Sequence, residues 1–255
     1  MSVDHLLFDA GDRVTGWGEL RLRGDEVWLD PPHPVLCIGT PGPLSMSQYA
    51  VRLHGADVSV AVSRPGADGA ATRWATVTGV WLGSAIRVEE QSPEPPPQRP
   101  EPTWTRPPCP PPVGGWPVRR VEGDFDDLEF DLGDLQETGA AVSVTIFRPG
   151  AGQTVLVVAA NDEAAVERRL RPQLGARLCV IRSRWTKSEV EQVTSVLLRQ
   201  MDEWTLMTFG EGADDDGQLV VRAQLFRVRP DMARWAAGVP DGLLEVSPAL
   251  APAAR

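Results

Sequence analysis

Beyond His54 the chain has no histidine, and it contains one lysine, Lys187, and one tyrosine, Tyr49. The commonest general base and metal ligand is thus missing from residues 55–255, which excludes a Ser/His or Cys/His pair wholly within that stretch. Earlier in the chain His33 and Cys37 lie four apart, and along a strand that spacing separates them by about 13 Å, too far for a dyad. Mechanisms that need a Tyr/Lys pair or a Schiff-base lysine would rest on Tyr49 or Lys187 alone. No glycine-rich phosphate loop of either standard spacing occurs. No catalytic residue, cofactor or metal is therefore assigned.

Cysteine is scarce too. Cys37 in VLCIG and Cys179 in RLCVI sit inside apolar, strand-like runs, while Cys109 lies in a proline-rich tract. There is no CxxC and no Cys/His spacing for zinc, so the expectation is two buried thiols, no disulfide framework, and Cys109 as the accessible, reactive one. No run approaches the ~20 apolar residues of a membrane span. The opening residues MSVDHLLFDAGDRV carry acids where a signal peptide needs positive charge. A soluble, cytoplasmic protein with no membrane partner is expected.

Proline, by contrast, is abundant. Residues 93–117 hold 12 of the 24 prolines, whose fixed φ and missing N–H exclude both helix and sheet. The tract reads as a polyproline-II spacer, able at ~3.1 Å per residue to hold its flanks up to roughly 75 Å apart. Its PxxP elements, Pro97 to Pro100 and Pro107 to Pro110, match ligands of proline-reading domains, with spacer as the default. Trp104 and Trp116 within it are candidate anchors, for a module of the chain or for a partner's groove.

Between Val14 and Gln91 short alternating runs are separated by turn residues, the pattern of an all-β unit. Leu20 and Leu22 alternate with arginines, Gly24-Asp25 makes a two-residue turn, and Val27 and Leu29 return. Val35 to Ile38, Tyr49 to Leu53 and Val58 to Val62 supply more strands, and Trp74 to Val80 turns at Leu82-Gly83-Ser84 into Ile86 to Val88. The segment from Trp74 to Gln91, with its interior glycine, resembles the closing strands of OB-type barrels. The resemblance implies oligonucleotide binding, for which Trp17, Trp28, Trp74 and Trp81 would be the stacking platforms. Yet residues 1–92 carry 11 acidic against 7 basic side chains, which disfavours nucleic acid as the partner.

In the last part, Ala141 to Phe147 and Thr154 to Val158 read as strands, and Asn161 or Asp162 caps a helix stopped by Pro172 and Gly175. Leu178 to Ile181 is the next strand. Thr186-Lys187-Ser188-Glu189 is a capping box, and Val190, Val193, Leu197, Met201 and Trp204 follow as a single-face stripe. Leu206 to Phe209, a turn at Asp215-Asp216-Gly217, and Leu219 to Val228 form a hairpin, and Pro230 opens a short helix. Asp214 to Asp216 lack the spaced ligands of a calcium loop, so a turn is the reading. This order predicts one mixed sheet with two main helices on one face. Its other face must be covered by the short helix, the first module or a partner.

The expected fold is therefore two-domain. Residues 1–92 form a small all-β (OB-like) barrel or sandwich, residues 93–120 a proline-rich linker, and residues 121–255 an α+β domain that opens on an acidic segment. From Asp124 to Leu135 that segment alternates, with Phe130 and Leu132 opposite Glu129 and Asp131, as an amphipathic edge strand does. It is suited to dock on arginines at Arg168, Arg169, Arg171, Arg182 and Arg184, as a latch on the chain itself or as a partner contact. Arginine supplies 24 of the 25 basic residues, a coding bias of high-GC bacteria. The leading expectation is a non-enzymatic bacterial adaptor, inhibitor or accessory subunit that binds another protein through the arginines, Phe130, Leu132, Trp104 and Trp116. A nucleic-acid-binding barrel comes second and an enzyme with unpaired carboxylates third.

Overall fold

A computed structural model describes residues 3–32, 47–65, 71–96, 103–118 and 129–253. The expected strand at Val35 to Ile38, with His33 and Cys37, lies outside the described residues.

The molecule is mostly β. Strands β1 (Arg13–Arg23) and β2 (Glu26–Asp30) form the expected hairpin, with Gly24 at φ +62° making its turn. β3 (Val51–His54), β4 (Val62–Pro65), β5 (Ala71–Trp81) and β6 (Ala85–Ser92) follow. β1 pairs with both β2 and β5, and β3 runs parallel to β6, so the path β1-β2-β3-β6-β5 returns on β1. The sheet is ring-like without being a barrel. Its interior holds Val14, Leu29, Val77 and Ile86. A Cβ at Gly79, beside a register shift in β5, would collide with the Arg87 carbonyl; only glycine lets the strand fold over there.

After the proline tract come α1 (Glu129–Glu137), β7 (Ala141–Phe147), β8 (Val155–Ala160), α2 (Glu163–Leu174) and β9 (Leu178–Arg182). The same order then recurs as α3 (Lys187–Arg199), β10 (Leu206–Ala213), β11 (Leu219–Leu225), α4 (Pro230–Ala236) and β12 (Leu244–Pro248). Each round is a helix, an antiparallel hairpin, a crossover helix and a strand parallel to the hairpin's second strand. The single mixed sheet expected from the alternation is thus two three-stranded sheets, β7-β8-β9 and β10-β11-β12. Local signals are met. Asp162 accepts from the Ala165 N–H at 2.8 Å to cap α2, and Pro230 opens α4. Pro172 does not stop α2, which runs to Leu174.

The acidic run is a correction. From Glu129 on it forms helix α1, not an edge strand, because Leu132 and Leu135 also stand three apart and pack with Val166 and Leu170 of α2. Phe130 belongs to α1.

The division into two domains is not confirmed, because the two ends of the chain cross between the parts. β13 (Leu250–Pro252) pairs with β1, where a Cβ at Gly16 would collide with Leu250. In the other direction Val3, Leu6 and Leu7 enter the core built by α3, α4 and β11. Tyr49 donates to the Leu206 carbonyl at 3.2 Å and stacks on Phe226. Among the described residues no helix is long and apolar enough to cross a membrane.

Candidate functional site

Every residue of β8, Val155-Leu156-Val157-Val158-Ala159-Ala160, is buried, so the β7-β8-β9 sheet needs a cover on both faces. On one face Leu156, Val158 and Leu178 meet α2. On the other, Phe147, Val155, Val157 and Cys179 meet Trp104, Cys109 and Trp116 of the proline tract. Residues 103–118 are therefore a strap lying on the sheet, which corrects the expected extended spacer. Its prolines cannot add a strand, but their rings and the two tryptophans supply apolar area.

The strap is also tied covalently. Cys109 and Cys179 form a disulfide with Cα atoms 5.8 Å apart, which corrects the expectation of an accessible thiol on Cys109. Two polar anchors flank it. Gln153 Nε2 donates to the Trp116 carbonyl at 2.8 Å, and Trp104 Nε1 donates to the Asp214 carbonyl at 3.1 Å. Trp104 takes a left-handed φ of +45°, and its carbonyl accepts from the Arg148 N–H at 2.8 Å, just past the end of β7.

Trp104 stands at a cleft of about 430 Å³ between the two small sheets. β7 is the outer strand of one sheet and β10 of the other, and both edges face this opening. Residues 142–146 of β7 all line it, from both faces of the strand, so the wall is a strand edge, unpaired among the described residues, and not a sheet face. Glu211, Gly212 and Ala213 of β10 form the opposite wall. Ser143 donates to the Gly217 carbonyl at 2.8 Å, where the sheets approach; a Cβ on Gly217 would stand 2.9 Å from Val157. Thr145, only 7% exposed, lines the cleft, and its hydroxyl has no hydrogen-bond partner among the described residues.

The arginines do not form one surface. Arg171 chelates Glu167 and donates to the Gly175 and Leu178 carbonyls, closing the end of α2. Arg169 faces Asp134 of α1 at 3.9 Å, beside exposed Arg168, so α1 does lie against two of the five arginines, as a helix. Arg182 is near Glu163, and Arg184 pairs with Asp214 at 3.1 Å and Asp216 at 2.9 Å. Asp214 Oδ1 accepts from the Asp216 and Gln218 N–H groups, so the aspartate run is the expected turn.

Nor do the ring tryptophans form a platform. Trp81 is core, 3% exposed and edge-on to Phe8, and Trp17 is covered by Trp74. Trp28 remains on the outer side of β2 between its cross-strand neighbours Arg21 and Arg52, which are paired with Glu19, Asp30 and Glu26. No known protein family, curated protein or solved structure matches this chain. The cleft was missed in the sequence because an edge is a property of strand order. Its one local sign was the continuous apolar run of β8.

Proposed function

We propose that the protein is a non-enzymatic binding protein, an adaptor, inhibitor or accessory subunit, that receives an extended segment of a partner protein along the free edge of β7. One observation carries the reading: unpaired edges of two separate sheets face a single cleft. A strand entering there gains backbone hydrogen bonds from β7, and the Thr145 hydroxyl in the cleft adds a side-chain contact. The chemistry of the walls, with Val142, Val144, Ile146 and Ala213 beside Ser143 and Thr145, fits a partner segment of small or β-branched residues. A cytoplasmic location and partner contacts by the acidic helix and arginines remain part of this proposal.

A second reading, an OB-like ring that binds single-stranded nucleic acid, draws on the ring-like strand path and on Trp28 between two arginines. Ion pairing of those arginines weighs against it. The third reading, carboxylate catalysis, needs a carboxyl pushed up. Those with a displaced titration, Asp57, Glu189 and Asp231, are held low.

The test is affinity capture from the native host followed by hydrogen exchange on the captured complex. Amides of β7 should become protected, and Val144→Lys, a charge on the strand edge, should abolish capture without changing the circular dichroism spectrum. Protection confined to β2 and β3 would overturn the reading in favour of the ring.

A further inference from the structure

The Cys109–Cys179 disulfide fixes a segment of the chain that already reaches the end of the β7 edge. The Trp104 carbonyl takes the Arg148 N–H, the first donor beyond β7, and the Trp104 ring lines the cleft. The strap thus stands in the place where an added strand would begin. Beyond the disulfide and the apolar packing of Trp104 and Trp116, few polar contacts hold it. Among the described residues, the polar contacts from residues 103–118 to the rest of the molecule are those of Trp104 and Trp116, the approach of Cys109 Sγ to the Val180 carbonyl at 3.8 Å, and the bridge from Val118 to Gln153. A proline tract cannot add the ladder that secures an ordinary strand.

We propose that this disulfide is a thiol–disulfide exchange site that latches the strap, and that its reduction by a dithiol lifts the strap and lengthens the free edge of β7. The consequence for binding rests on the cleft reading above; the latch itself does not. Cys109 is partly exposed and Cys179 is buried at 1%, so the reductant's thiolate attacks the Cys109 sulfur. That step forms a mixed disulfide and breaks the Cys109–Cys179 bond, with Cys179 leaving as a thiolate that takes a proton. The second thiol of the reductant then attacks its own sulfur in the mixed disulfide, releasing Cys109 and leaving the reductant as a closed disulfide. Two electrons and two protons pass to the protein. The former Cys179 thiol lies among Phe147, Val155 and Val157, and it meets solvent only if the strap leaves.

Alkylation therefore reads the latch without any partner. The full chain is reduced with dithiothreitol, pulsed with iodoacetamide, and each cysteine's labelling rate is measured by peptide mass spectrometry, with hydrogen exchange in parallel. The proposal expects Cys179 to label within about tenfold of Cys109, and amides of the strap and of β7 to exchange at least about tenfold faster than in the oxidised chain. Cys109→Ser should label at Cys179 with no reductant, and the reduced wild type serves as the second arm if that variant does not fold. Cys179 protected about a hundredfold or more while Cys109 reacts would show that packing alone holds the strap and would overturn the latch. So would free thiols on both Cys109 and Cys179 in the untreated chain. Failure of the Val144→Lys capture experiment with a strap that still lifts would remove the cleft reading and leave the latch standing.

Discussion

The two small sheets share one strand order and close their surfaces in different ways. In β11 the residues Leu219, Val221, Ala223 and Leu225 face the core of α3 and α4, while on the other face a single buried apolar residue, Val220, stands beside Arg222 and Gln224, which bond to Glu245 and to the Pro32 carbonyl. That sheet needs one apolar cover, and its own helices provide it. β8 has no polar residue on either face. Its sheet needs two apolar covers, and since α2 reaches one face only, the chain supplies the second from the proline tract. The lesson is that the tract follows from β8: an apolar strand with one helix-covered face demands a strap, and a strap without strand hydrogen bonds benefits from a covalent tie.

This comparison can be broken by truncating each side. Phe147→Ala under the strap should cost about 3–5 kcal/mol, and Leu197→Ala on α3 about 2–5 kcal/mol, both measured by denaturant unfolding. If Phe147→Ala is near neutral, the strap face is not core and the asymmetry between the sheets disappears.

The next effect in size belongs to the tie. Cys109→Ser opens a cross-link spanning 70 residues, and the chain-entropy account gives a loss of about 4 kcal/mol under oxidising conditions. No change between oxidised and reduced midpoints would mean that the strap is held by packing alone.

Smaller still is the α3 cap, a device that has no counterpart in the strap. Thr186→Ala should cost about 1 kcal/mol. Its partner Glu189 accepts from the Thr186 backbone N–H at 2.7 Å and from its hydroxyl, and these bonds hold the carboxyl below its ordinary value of 4.5. A folded value lower than the unfolded one means stability present above about pH 4.5 and lost as pH falls through the folded value. Glu189→Gln should flatten that acid limb slightly, and an unchanged limb in acid titrations followed by circular dichroism would remove Glu189 from it.

Local chemistry was legible in the sequence wherever it acts over a few residues. The Thr186 box, the Asp162 cap, the Gly24-Asp25 hairpin and the aspartate turn all lie where their residues indicate. What was not legible depends on distant segments. Leu132 serves a helix as well as a strand, and only α2 beside it decides between them. Cys109 and Cys179 stand 70 residues apart, and nothing in either neighbourhood says that they meet. β13 and Val3 cross between the two halves, so composition on either side of the prolines suggests a division that the strand pairing does not confirm. Of the candidate contacts, Trp104 and Trp116 proved to be anchors on the chain itself, whereas the arginines were scattered among local partners.

The central claim is that residues 103–118 strap the molecule together. Small-angle X-ray scattering of the oxidised chain tests it most directly, because a spacer and a strap differ in overall size. The account predicts a radius of gyration of about 18 Å, the value for a compact chain of 255 residues. Two bodies held apart by an extended tract would give roughly 25 Å or more, and that result would contradict it.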